Sequence, residues 1–201
     1  MHTANPASAL YTVEQVRLLD QAAIHDFGVA GLELMQRAAN AAFSSLQRRW
    51  PQARSLVVVA GNGNNGGDAF LLACLARKAE LSVSLIALGD ASGGGAAGAR
   101  EAWLAAGGEI ELADASFLLP GADVLVDGLF GTGLSRAPAG LAAGLIRQMD
   151  NFPGHRLALD VPSGLDADLG VAPGAAMHAD ATVSFVGWKR GLFTADGPDY
   201  C

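Results

Sequence analysis

The apolar residues of this chain change their period partway along it. Val13, Val16, Leu19, Ala23 and Ile24 recur at the three-and-four spacing of one helix face. Thr12-Val13-Glu14-Gln15 opens that stripe as a capping box, with Thr12 as N-cap and Gln15 reaching back. A second helix is predicted over 31–50, stopped by Pro51. The run Leu56-Val57-Val58-Val59 is different, because unbroken apolar residues suit a strand buried on both faces. From there strand and helix patterns alternate. Helices are expected over 66–79, 99–106 and 139–151, and strands over 81–88, 123–127, 156–161 and 181–186. That alternation places helices on both faces of parallel strands. The fold class is therefore α/β: a three-layer αβα sandwich with a Rossmann-like, mostly parallel sheet and two leading helices. No repeat or linker divides residues 1–201, and Gly93-Gly94-Gly95 reads as a loop inside one domain.

Composition narrows the function classes. Hydrophobic residues make up 51%, enough for a sizeable core. A net charge of −7, with only 13 Lys and Arg, argues against binding nucleic acid. No apolar run approaches the roughly 20 residues that span a bilayer. Residues 1–10 lack the basic and apolar regions of a secretory signal, and Cys74 and Cys201 cannot build a disulfide framework. A cytoplasmic location is expected. His2, His25, His155 and His178 have no metal-ligand spacing. The 26 glycines are the anomaly, so their placement matters.

Many of them follow strands, where open α/β sheets bind ligands. After the first long strand comes Gly61-Asn62-Gly63-Asn64-Asn65-Gly66-Gly67-Asp68, which satisfies G-x-G-x-x-G between a strand and a helix. The acidic ribose partner of a standard dinucleotide fold is not evident. Two amides, a carboxylate and helix N–H groups within five residues could hold phosphate, hydroxyls or a cation; a plain glycine turn is the alternative. The second loop, Asp127-Gly128-Leu129-Phe130-Gly131-Thr132-Gly133-Leu134-Ser135-Arg136, starts from a strand-end carboxylate and carries an arginine able to pair with phosphate. The third, Asp160-Val161-Pro162-Ser163-Gly164-Leu165-Asp166-Ala167-Asp168, again starts from a strand-end carboxylate, with a hydroxyl three residues on. Three such loops together point to a ligand site.

In order and spacing, these segments resemble the NAD(P)H-hydrate epimerase family, the YjeF N-terminal domain. The resemblance runs over nearly the whole chain, including Asp180-Ala181-Thr182-Val183-Ser184-Phe185 and Lys189-Arg190-Gly191-Leu192, with Ala69 where the family often has glycine. It implies a substrate of NADH or NADPH hydrated at C6 of the nicotinamide ring, whose R and S forms are interconverted for metabolite repair. It implies substrate contacts from Asn64, Asn65, Gly66, Gly67, Asp68, Gly131, Thr132, Gly133, Leu134, Ser135, Arg136, Ala137 and Asp160. It implies a potassium ion on Asn65, Asp127 and Ser163, whose hard oxygen donors suit an alkali or alkaline-earth ion better than zinc. It also implies a functional partner, an ADP- or ATP-dependent dehydratase, which in many bacterial relatives follows in the same chain.

Such a hydrate can change face by loss and return of water or by ring opening to an aldehyde and reclosure, and either route asks for a group that gives a proton to oxygen and takes one back. Asp160 is assigned that catalytic role. Lys189 could orient the substrate or hold a phosphate, but is expected as a solvated surface lysine, and a homodimer through Leu18, Leu32 and Met35 is open. The alternative function is a non-catalytic ligand-binding or scaffolding domain of the same fold. A kinase reading lacks G-x-x-x-x-G-K-[ST], and an oxidoreductase reading lacks a Tyr-Lys or Cys-His set.

Overall fold

The unbroken apolar run becomes the middle of a sheet. The computed structural model describes residues 9–89, 96–134 and 136–201. Its strands are β1 (Leu10–Tyr11), β2 (Ser55–Ala60), β3 (Ser82–Ala87), β4 (Glu111–Leu112), β5 (Val124–Gly128), β6 (His155–Leu159), β7 (Ala181–Val183) and β8 (Trp188–Lys189). Its helices are α1 (Val13–His25), α2 (Gly31–Arg49), α3 (Asn64–Lys78), α4 (Ala97–Ala105), α5 (Gly140–Asp150) and the short α6 (Gly197–Tyr200). Six strands form one parallel sheet in the order β4-β3-β2-β5-β6-β7. β1 and β8 pair separately, also in parallel.

Both faces of β2 are covered, as its composition requires. Leu56, Val58 and Ala60 join Phe43, Leu46, Phe70 and Leu72, the side of α2 and α3, while Val57 and Val59 join Leu145, Ile146 and Met149 of α5. The period-two alternation of a strand thus feeds two helix layers. A third, smaller cluster of Val161, Leu165, Ala167 and Leu192 supports the loop after β6.

The capping box forms: the Thr12 hydroxyl accepts from the Gln15 N–H at 3.1 Å, and Gln15 Oε1 accepts from the Thr12 N–H at 2.9 Å. Of the five apolar residues that defined α1, only Val16 is fully buried, and Leu19 is exposed. The buried face of α1 runs instead through Val13, Val16 and the partly buried Asp20. α3 begins at Asn64, two residues earlier than expected. Its early glycine is dictated by packing, since a Cβ on Gly66 would lie 1.8 Å from the Gly61 carbonyl oxygen. The last strand of the sheet stops at Val183 rather than 186: beyond it the Phe185 N–H turns to Asp160 Oδ1, and Val186 takes φ +65. β1, β4 and β8, two residues each, are too short for a hydrophobic period to announce them. The Gly93–Gly95 loop lies outside the described residues.

Candidate active site

The chain runs outward from β2 to β3 and β4, then returns to β5 on the other side of β2. This reversal opens a crevice between the carboxyl ends of β2 and β5, the usual ligand position in such sheets. All three glycine-bearing loops leave from β2, β5 and β6, which are neighbours there.

At the floor lies Asp127, the penultimate residue of β5 and fully buried. Its Oδ2 accepts from the Ser163 N–H at 2.7 Å, and its Oδ1 accepts from the Ser163 hydroxyl at 2.6 Å and the Leu129 N–H at 3.1 Å. Burial pushes its pKa up to about 6, against the lowering effect of those bonds. Ser163 in turn accepts from the Phe130 N–H at 2.8 Å. Asn65, in the first turn of α3, donates through Nδ2 to the Phe130 carbonyl at 2.9 Å. Its Oδ1 is buried and has no hydrogen-bond partner among the described residues. An orphaned amide oxygen beside a carboxylate, a hydroxyl and a carbonyl is a donor set of hard oxygens with a single charge. Those residues suit a weakly charged cation. Among the described residues no group of three His, Cys, Asp or Glu could hold a metal ion.

One strand over, Asp160 follows β6 with φ +66, a left-handed backbone that a non-glycine residue adopts at a cost of about 1–3 kcal/mol. The turn aims its carboxyl back into the crevice: a Cβ on Gly131 would meet Asp160 Oδ2 at 3.0 Å and Asn65 Cγ at 3.3 Å. Asp160 Oδ1 is salt-bridged to Lys189 Nζ and accepts from the Phe185 N–H at 3.3 Å. Lys189 is not the surface lysine expected from the sequence. Its side chain is 1% exposed, and its ammonium also donates to the Phe185 carbonyl at 2.6 Å and the Ser184 hydroxyl at 3.2 Å. Three partners answer its three N–H groups, which is how a buried ammonium is tolerated.

Asp68 stands one helical turn beyond Asn65 on the same face of α3. It is 8% exposed, and no hydrogen bond reaches its carboxyl among the described residues. Burial, reinforced by the negative charges of Asp160 and Asp20 and only partly offset by Lys189, pushes its pKa up to about 8. Burial also raises Asp20 on α1, with Lys189 opposing and Asp160 adding to the shift.

The remaining residues expected from the sequence divide. Asn64, Gly133, Arg136 and Ala137 are exposed, Thr132 and Leu134 partly so, and Gly66 and Gly67 are buried inside α3. Ser135 lies outside the described residues. Gly131, Thr132, Gly133 and Leu134 border a cleft of about 410 Å³ that Arg17, Asp168 and Arg190 also line. Arg17 donates to the Thr132 carbonyl at 3.2 Å, and the Val13 N–H donates to Asp168 at 3.0 Å, so α1 is tied to both rims. Sequence reasoning missed Asp20, Arg17 and the burial of Lys189. A signal for Asp20 was present, since it stands four residues after Val16 in register with the buried face of α1. Lys189, on a two-residue strand, has no comparable pattern.

Comparison with known proteins agrees with this architecture. A family model described as YjeF-related protein N-terminus matches residues 31–191. The chain is 40% identical over 201 residues to the bifunctional NAD(P)H-hydrate repair enzyme Nnr of Escherichia coli, covering 97% of this chain and 39% of that one. It is 36% identical over 189 residues to the NAD(P)H-hydrate epimerase of Limosilactobacillus fermentum, covering 94% of this chain and 91% of the relative. The crystal structure of yeast ynu0, YNL200c, superposes with a TM-score of 0.80 at 17% identity, over 94% of this chain and 85% of that one, and so shares the fold.

Proposed function

This chain belongs to the family of the YjeF-related protein N-terminus, and from that membership we propose that it is an NAD(P)H-hydrate epimerase. It interconverts the R and S C6 hydrates of NADH and NADPH. The observation that carries the reading is the strand-end cluster: Asp160, salt-bridged to buried Lys189, faces Gly131 and Asn65 across the switch-point crevice. Catalytic groups at such a crevice are the usual arrangement in open α/β sheets.

The C6 hydrate is a hemiaminal. Its C6–O bond opens when the oxygen is protonated and the ring nitrogen supplies electrons, and water then returns to either face. Asp160 is the carboxylate we place at that carbon. We assign the rest of the dinucleotide to the rim of Thr132, Gly133, Leu134, Arg136 and Ala137, to Ser135 on the sequence alone, and to Asn64, Asn65, Gly66, Gly67 and Asp68. Because net charge is −7, backbone N–H groups and a few arginines carry the phosphates rather than a lysine field.

Potassium is the cation we assign to Asn65, Asp127 and Ser163, with the Phe130 carbonyl beside them. Its support is the unpartnered Asn65 Oδ1. When bound it would supply a fixed positive charge beneath the crevice. No helix among the described residues is long and apolar enough to cross a membrane, and a cytoplasmic role is proposed. The chain spans 39% of the Escherichia coli relative, a bifunctional repair enzyme. A dehydratase specific for one epimer, fused or separate, is the functional partner we propose; a homodimer through the exposed Leu18 and Leu32 is proposed as well. Met35, grouped with them from sequence, packs against the core instead.

The test is a mixture of both hydrates given an S-specific dehydratase. With the protein present both epimers should be consumed; without it the R form should persist. Persistence of the R form in both cases would favour a non-catalytic binding domain.

A further inference from the structure

The epimerase reading gives one group in the crevice a place beside the substrate but no part in the proton transfers. Asp68 is nine-tenths buried, carries no hydrogen bond among the described residues, and lies one turn from Asn65. Asn65 and the free Oδ2 of Asp160 both border the position above Gly131. The other charged groups acting on Asp68 are Asp160 after β6, Asp20 on α1 and Lys189 on β8. Among the described residues, Asp160 alone of the three carboxylates has a salt bridge, to the Lys189 ammonium. A carboxylate with one oxygen on an ammonium and the other free can face a cation or receive a proton on the free oxygen. A buried carboxyl with no donor pointed at it is built to keep its proton.

Resting on the epimerase reading above, we infer that Asp68 is the proton donor of the reaction and that Asp160 is the acceptor. Asp68 gives its proton to the C6 hydroxyl oxygen. The C6–O bond breaks, water departs, and the ring nitrogen's electron pair forms the C6–N1 double bond. Water adds to the opposite face, that electron pair returns to N1, and the surplus proton passes to Asp160. Hydration is unchanged overall; one proton has moved between carboxyls, and exchange with solvent restores the start. Two carboxyls in different surroundings, one on an ammonium and one without a hydrogen bond among the described residues, allow acid and base work at one site. The iminium that forms between the two steps faces the Asp160 carboxylate.

The test is Asp68→Asn in the full chain, with R-to-S conversion followed from pH 6 to 10. Substitution should lower kcat at least about 10²-fold, the usual weight of a general acid, with KM changed less than threefold. Wild-type kcat should fall as pH rises through about 8, where Asp68 loses its proton, and that alkaline limb should vanish in the variant. A variant with kcat within threefold of wild type would overturn the inference. So would a wild-type kcat that is flat or rising to pH 10, a reading that does not require the variant to fold. If wild type fails to convert the epimers at all, the epimerase assignment falls and this inference falls with it.

Discussion

At the scale of single residues, placement decides the chemistry more than residue type does. Asp160, Asp68 and Asp127 share one side chain, yet one is salt-bridged, one has no hydrogen bond among the described residues, and one is enclosed by a serine and two backbone N–H groups. Lys189 shows the cost of such arrangements. Lys189→Met would remove the ammonium and leave Asp160 without its ion partner, which costs about 3–5 kcal/mol when a buried pair is broken from one side. Chemical denaturation should therefore show a large loss for Lys189→Met. Arg136→Met, at an exposed position, should stay within about 0.5 kcal/mol. Asp160, Ser163 and the Asn65–Asp68 group were readable in the sequence because each follows a strand end. Lys189 and Asp20 were harder. A lysine's burial depends on partners 5, 4 and 29 residues away, Ser184, Phe185 and Asp160, and no local period records them.

At the scale of elements, the glycines divide into two kinds. Gly66 and Gly128 allow β2, α3 and β5 to approach: a Cβ on Gly128 would sit 2.4 Å from that of Ala69. The alanine at position 69 is accommodated because its neighbour has no side chain. Gly131 instead keeps open the space between Asp160 and Asn65, whereas Gly63 and Gly133 have nothing within 4 Å of an added Cβ. Gly66→Ala, clashing with backbone, should lower Tm by many degrees or prevent folding. Gly131→Ala should leave Tm within a few degrees while abolishing the conversion of epimers. Gly63→Ala should leave stability and turnover near wild type. Thermal melts alongside the epimer assay separate the three cases. The strand-helix alternation was legible because strands of five and six residues carry their own apolar pattern. The β1–β8 pairing was not, since it joins residues about 178 apart through two-residue segments.

At the scale of the whole molecule, the enclosed carboxyls tie stability to pH and to cations. Asp68 and Asp127 hold their protons more tightly folded than unfolded, with values of about 8 and about 6. Below about pH 4 both states are protonated and no penalty exists. As pH rises the unfolded chain ionises first, so stability should fall from about pH 4 and level off above about pH 8. Melts without potassium should show that decline, and Asp68→Asn should flatten its alkaline part. A cation on Asn65, Asp127 and Ser163 should act in the opposite sense. Saturating potassium at about 100 times its Kd would add about 2.7 kcal/mol, seen as a rise in Tm that lithium at equal ionic strength does not give. Asn65→Leu, which keeps the volume but removes the orphaned oxygen, should abolish that rise. The acidic balance of the chain, which first argued against nucleic acid, is consistent with a site that works through enclosed carboxyls.

The most direct measurement gives the pure R hydrate to wild type and to Asp160→Asn in potassium buffer and follows the S form over time. Wild type should bring the two epimers to equilibrium, while the variant binds the hydrate, seen as a ligand-induced rise in Tm, without converting it. Conversion by Asp160→Asn at the wild-type rate would contradict the placement of the chemistry at this strand end.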